Sequence, residues 1–251
     1  MFIILTATVT PQVDEHIHVI DPERRREQYR SAIAKWVKLS ENLDLQPLIV
    51  ENSGEDLPLL IRSAVGHRAQ QMRHLAVSPP PPPVVLMGKG AAEAQMLNAA
   101  IQSLGSVDEL EMVFKCTGRL FVKNFDRCVT QAPTQQRTLI ADIPRKNFGW
   151  IDSRFFGASL GVWNSELREV GVTSNDREGI NYEHELATSV NDSAASLNVA
   201  VENFREKPWI VGQSGTTGHL YGTSFIETSR RTIIRPLDRL RRHLQADFTG
   251  Y

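Results

Sequence analysis

The chain has 251 residues, 41% of them hydrophobic and 23% charged, with a formal net charge of −1 at pH 7. That is enough apolar material for a full core without staples, and it excludes disordered, collagen-like and coiled-coil chains. The charge balance gives no global pull toward nucleic acid, and two cysteines, Cys116 and Cys128, are too few for a disulfide framework or a self-contained zinc site.

No stretch reaches the roughly 20 apolar residues of a membrane span. The apolar start, Met1–Pro11, lacks a basic leader and a small-residue cleavage site and reads as a buried strand. A reduced, cytoplasmic compartment is the expectation, compatible with a peripheral position on the inner face of a membrane.

Phe2–Ala7 is a short β-rich apolar run that predicts a strand buried on both faces, ended by Thr8–Pro11. Asp21-Pro22-Glu23 is a helix start, with Asp as cap and Pro in the first turn. The helix is expected to reach about Glu41, with Tyr29, Ile33, Trp36 and Val37 on one face. Leu45–Val50 predicts the second strand, ending in the turn Glu51-Asn52-Ser53-Gly54. Leu57–Leu75 has helical character broken at Pro58 and Gly66. The proline run Ser78–Pro83 is kept out of any sheet interior, and Val84–Met87 reads as a short strand.

Gly88-Lys89-Gly90 opens a helix over Ala91–Leu104, rich in Ala, Gln, Leu and Met. Strands are expected at Glu111–Lys115, Leu120–Asn124 and Thr138–Ile143, and Gly149–Trp163 reads as a strand and turn. Tyr182–Asn191 and Ala194–Asn203 read as helical, and Trp209–Tyr221 as a Gly-rich loop. The alternation of strand and helix in the first half predicts an α/β domain, with a mostly parallel central sheet flanked by helices.

One domain over residues 1–228 is expected, followed by a tail at 229–251. In the tail Arg230, Arg231, Arg235, Arg239, Arg241 and Arg242 meet a single acid, Asp238, between Ser229 and Leu244. Ile233, Leu237, Leu240 and Leu244 fall at helical spacing, which makes this a basic amphipathic helix. It suits either docking on the domain or attachment to an anionic membrane surface or a partner. Nucleic acid fits worst, because few aromatics interleave the arginines.

Ligands of open α/β sheets bind beyond the carboxyl ends of the strands. Three polar segments sit at such ends: Thr6–Pro11, Glu51–Gly54 and Lys115–Arg119. Gly88-Lys89-Gly90 lets a backbone approach an anion at a helix start but lacks Walker spacing. Lys115-Cys116-Thr117-Gly118-Arg119 combines two cations, a hydroxyl and a turn. Asp152-Ser153-Arg154-Phe155-Phe156-Gly157 sets a carboxylate beside aromatic rings. Tyr182-Glu183-His184-Glu185 brings a general-base candidate to a helix start, where acids are also favoured for structural reasons. Gly212–His219 is dense in hydrogen-bond donors and suits either an anion or a closing loop.

The order of these motifs spans about residues 1–225: T-x-T-x-x-P, E-N-S-G, G-K-G-x-x-E, K-x-T-G-R, D-S-R-F-F-G, Y-E-H-E and G-x-S-G-x-x-G. It resembles bacterial surface-polysaccharide glycosyltransferases of the capsule and lipopolysaccharide type, which have a GT-A-like, Rossmann-like nucleotide-sugar fold. The resemblance implies that Thr6, Thr8, Pro11, Glu51 and Asn52 line a base and ribose pocket. It implies that Lys89 and Gly90 contact the donor, while Lys115, Thr117, Gly118 and Arg119 take the strand end where many relatives carry Asp-x-Asp. By the same resemblance Asp152, Glu183 and His184 face the acceptor, with Glu183 as first choice for the base, and Ser214, Gly215 and His219 close on the diphosphate.

No Asp-x-Asp occurs in the chain. The expectation is therefore an enzyme without cofactor or divalent metal, whose leaving phosphate is stabilised by Lys115, Arg119, Lys89 or the Gly212–Gly218 loop. The reading that results is an inverting transferase. It moves a sugar from a nucleotide-sugar to a glycan or lipid-linked glycan acceptor in surface polysaccharide synthesis. A sugar nucleotidyltransferase shares the scaffold, although Thr6–Pro11 lacks a glycine-rich triphosphate loop. A non-catalytic nucleotide- or glycan-binding protein is the third reading.

Overall fold

In the computed structural model, residues 1–12, 18–105, 107–129, 136–144, 149–196, 198–215 and 217–222 are described. The basic tail, 229–251, lies outside the described residues.

The elements run β1 (Phe2–Ala7), α1 (Pro22–Ser40), β2 (Gln46–Glu51), α2 (Leu57–Val65), a 3₁₀ turn (Gly66–Gln71), β3 (Arg73–Ala76), α3 (Pro82–Met87) and α4 (Lys89–Ser103). They continue with β4 (Met112–Thr117), β5 (Leu120–Val122), α5 (Phe125–Val129), β6 (Thr138–Ala141), β7 (Phe155–Ser159), α6 (Leu160–Asn164), a 3₁₀ turn (Asp176–Glu178), α7 (Tyr182–Ser196), β8 (Ala200–Asn203), β9 (Ile210–Gln213) and β10 (Leu220–Tyr221).

Seven strands form one sheet in the order β3-β2-β1-β4-β7-β6-β8. Every ladder is parallel except the two made by β7, which runs antiparallel to β4 and β6. The α/β class, the mostly parallel central sheet and the flanking helices are as expected from the alternation. β1 shows why both faces are covered. Its side chains alternate, so Ile3 and Leu5 join the core under α1 and α2, whereas Phe2 and Ile4 join the core under α4 and α7. A small antiparallel sheet, β10-β9-β5, packs beside α1.

The local signals for α1 hold. The Asp21 carboxylate accepts from Glu23 N at 3.1 Å, and Tyr29, Ile33, Trp36 and Val37 are all buried. In α2, Pro58 sits in the first turn, where no N–H is required, so it starts the helix rather than breaking it.

Four expectations are corrected. Val84–Met87 is part of helix α3, because Pro82 seeds a turn whose amides bond back to Pro81 O. Arg73–Ala76, which begins within the Leu57–Leu75 segment read as helical, is edge strand β3, paired to β2. Ala200–Asn203, also read as helical, is edge strand β8, paired with β6. Within the segment read as a loop, β9 and β10 form a hairpin, and β9 pairs with β5. Among the described residues no helix is long and apolar enough to cross a membrane.

Candidate active site at the carboxyl ends of the strands

β1, β2 and β4 run parallel and end together at Ala7, Glu51 and Thr117. Antiparallel β7 begins next to the end of β4, so the preceding loop, Asp152–Arg154, arrives at the same edge. Helices α1 and α4, on opposite faces, and α7 bring their N-terminal ends there too. The result is a cavity of about 520 Å³. It is lined by Thr6, Thr8, Thr10, Pro11 and Gln12 after β1, Asn52 after β2, and Arg25 and Tyr29 from α1. Lys89, Gly90, Glu93 and Met96 of α4, Thr117, Arg119, Leu120, Trp150, Asp152–Arg154, Asp176, Tyr182, Glu183, Gln213–Gly215, Thr217 and Tyr221 complete most of the wall.

The three strand-end loops bind one another. Thr8 Oγ1 donates to Asn52 Oδ1 at 2.7 Å. The Glu51 carboxylate accepts from Val9 N, Ser53 N, Ser53 Oγ and Glu55 N, which stitches two loops together. Gly118 N donates to Thr6 O at 2.9 Å, and a Cβ at Gly118 would lie 2.6 Å from that oxygen, so only glycine permits this approach.

One polar chain crosses under the cavity. Thr6 Oγ1 donates to Glu93 Oε1 at 2.7 Å, and Lys115 Nζ lies 2.8 Å from the same oxygen. Lys115 Nζ also donates to Ser153 O at 2.6 Å, and Ser153 Oγ donates to Glu183 Oε1 at 2.7 Å. Lys115 is fully buried, and its charge is met by Glu93. Among the described residues no hydrogen bond is made to Glu183 Oε2. Asp152, by contrast, is held by the Arg154 side chain and by Arg154 N. Burial works against the Arg154 charge, but Asp152 holds that guanidinium above its ordinary value. Arg154 also covers the Tyr221 ring at 4.5 Å. Burial, followed by the charges of Glu93, Glu183 and Glu185, pushes the Tyr182 phenol well above its usual value.

Of the residues singled out in the sequence, Thr6, Thr8, Pro11, Asn52, Lys89, Gly90, Thr117, Arg119, Asp152, Glu183, Ser214 and Gly215 line the cavity. Glu51, Lys115 and Gly118 do not; they support the wall from behind, as described. His184 is exposed on α7 and outside the lining. His219 lies outside it too, packed edge-on against Tyr221. Asp176 occupies the α4 start: its Oδ2 accepts from Lys89 N at 2.9 Å.

Arg25, Tyr29, Trp150 and Tyr221 are lining residues outside the motifs, and Arg154 and Tyr182 lie within two of them without a role assigned there. One signal pointed to Arg25. It sits four residues before Tyr29 on the apolar stripe of α1, where a charge is out of place. Among the described residues no group of three or more His, Cys, Asp or Glu side chains is placed to hold a metal ion.

No family model matches the chain, and no curated protein matches it. Solved structures with a similar arrangement include the galactosyltransferase LgtC in complex with donor and acceptor sugar analogs, at 10% identity and TM-score 0.47, covering 80% of this chain and 73% of that one. A glycosyltransferase involved in glycosylation of the major capsid of PBCV-1 aligns at 12% identity and TM-score 0.40, covering 80% and 81%. A 4-diphosphocytidyl-2C-methyl-D-erythritol synthase aligns at 13% and 0.41, covering 94% and 97%. At such identities and scores the likeness carries nothing about the activity of this chain.

Proposed function

We propose that this protein is a glycosyltransferase that moves a sugar from a nucleotide-sugar to a hydroxyl of a glycan acceptor, with inversion and without a divalent metal. The observation that carries the reading is Glu183. Its carboxylate lies in the wall of the strand-end cavity, oriented through one oxygen by Ser153. A group held at one oxygen and open at the other suits a general base.

In this reaction the acceptor oxygen forms a bond to the anomeric carbon as the bond from that carbon to the donor phosphate breaks. The proton of the acceptor hydroxyl passes to Glu183, and the nucleoside diphosphate leaves with the bonding pair. Asp152 is less suited, because the Arg154 fork occupies it. Cations and backbone donors of the wall supply the charge stabilisation that the leaving group requires.

The test is release of nucleoside diphosphate from a panel of nucleotide-sugars, with glycan acceptors, in the presence of a chelator. One donor is expected to turn over, and Glu183→Gln is expected to slow transfer about 10²–10⁴-fold while nucleotide binding persists. Full turnover by Glu183→Gln would remove Glu183 from this role. Formation of a nucleotide-sugar and pyrophosphate from a nucleoside triphosphate and a sugar phosphate would instead identify a nucleotidyltransferase.

A further inference from the structure

The charges around the cavity are distributed unevenly. On the α4 and β7 side each cation or helix end described above meets an acid: Lys115 meets Glu93, Arg154 meets Asp152, and Asp176 caps the first amide of α4. On the α1 side, among the described residues, the hydrogen bonds of the two lining arginines go to neutral groups. Arg25 is 5% exposed and gives its hydrogen bonds to backbone carbonyls, Thr8 O and Val19 O. The acid whose charge reaches it, Glu51, is engaged by the four loop donors named above.

Arg119 donates from Nη1 to Gln28 Oε1 at 3.2 Å, and among the described residues its buried Nε has no partner. The Arg119 charge also bears on Arg25, adding to the burial that already pulls the Arg25 guanidinium below its ordinary value. Two arginines in one cavity wall, with donors unspent and, among the described residues, no carboxylate bonded to either, form an unmet demand for a multiply charged anion.

The loop after β9 seats Arg119. His18 N and Ser214 N anchor this loop, bonding Gly215 O and His219 O at 2.8 Å each. A Cβ at Gly215 would fall 2.1 Å from Arg119 Nη2, so any larger residue there displaces the guanidinium.

We propose that Arg25 and Arg119 form the subsite for the diphosphate of the donor, on the α1 side of the cavity. The α4 end, with Glu183 and the acid-capped Lys89 amide, is then left to the acceptor. This assignment rests on the nucleotide-sugar reading for its ligand but not for its anion chemistry. It keeps Arg119, one of the cations expected at the leaving phosphate, adds Arg25, and departs from the expectation that the Gly88–Gly90 turn contacts the donor. There the carboxylate of Asp176 already stands where a phosphate would bind. The planar fork of Arg119 suits two phosphoryl oxygens, and its charge acts most strongly as the leaving diphosphate gains its electron pair.

The probe is inorganic pyrophosphate, titrated calorimetrically into the full chain in the presence of a chelator. The wild type is expected to bind. Arg119→Gln is expected to lose about tenfold to a hundredfold in affinity, Arg119→Lys less, and Gly215→Ala to weaken binding with both arginines still present. Unchanged melting temperatures identify the variants that remain folded. No binding to wild type, equal binding by folded Arg119→Gln, or a loss at Lys89→Gln with none at Arg119→Gln each overturns the subsite.

A second arm separates the two proposals. Nucleoside diphosphates that bind wild type and folded Arg119→Gln alike leave the donor reading standing and remove the subsite. Pyrophosphate that binds through Arg119 and is displaced by no nucleotide keeps the subsite and removes the donor reading.

Discussion

Replacing Lys115 with Met is the most direct probe of the polar chain under the cavity. The Lys115 side chain is fully buried and holds Glu93 Oε1 at 2.8 Å and Ser153 O at 2.6 Å, with Thr117 Oγ1 at 3.5 Å. Met matches the length of the chain and fills the space, so the lost stability comes from stranded polar groups rather than a void. Breaking a buried ion pair by removing one partner costs about 3–5 kcal/mol. The Glu93 side chain is 21% exposed at the cavity, so water recovers part of that cost, leaving about 2–4 kcal/mol. For a chain of this size the melting temperature falls by roughly 5–15 °C.

The double variant Lys115→Met/Glu93→Gln removes the stranded charge as well and is expected to regain about 1–2 kcal/mol over the single. Urea unfolding followed by tryptophan fluorescence measures both values, provided the slopes with denaturant agree. The reasoning is refuted if Lys115→Met lies within about 0.5 kcal/mol of wild type. It is also refuted if the double variant is less stable than the single.

Gly157→Ala places a Cβ 2.3 Å from Cδ1 of Phe114, its buried partner across the β4–β7 ladder. Overpacking of that kind is expected to cost about 1–3 kcal/mol, read as a lower urea midpoint, and a wild-type midpoint would show that the ring moves aside freely. Burial pushes the Cys116 thiol up to about 12. A thiol reagent at pH 8 should therefore leave it unlabelled in the folded protein and label it in urea; equal rates in both would contradict the burial. Because its folded value is raised, the stabilisation from the neutral thiol is complete below about pH 8.5 and is lost as pH rises toward 12. Unfolding midpoints should fall over that alkaline interval, less so in Cys116→Ala.

The sequence by itself determined the elements that carry local physics. Asp21-Pro22 caps a helix whatever surrounds it, and the 3.6-residue stripe of α1 names its buried face. The apolar runs of β1 and β2 announce strands covered on both sides. The parallel class follows from their alternation with helices, and the convergence of three strand-end loops follows from the class.

Tertiary structure decided what lacks such a signal. β3 (Arg-His-Leu-Ala) and β8 (Ala-Val-Glu-Asn) are four-residue edge strands with no apolar alternation, made strands only by pairing with β2 and β6. The site divides in the same way. Glu183, Arg119, Asn52 and Thr8 were legible as polar residues at element ends. Arg25 and Lys115 were not assigned their places, because Arg25 is a charge on the buried stripe of a largely polar helix and Lys115 a charge inside a mostly apolar strand. Such a position is costly alone and becomes tolerable only through groups far away in sequence: the carbonyls of Thr8 and Val19 for Arg25, and Glu93 and Ser153 for Lys115.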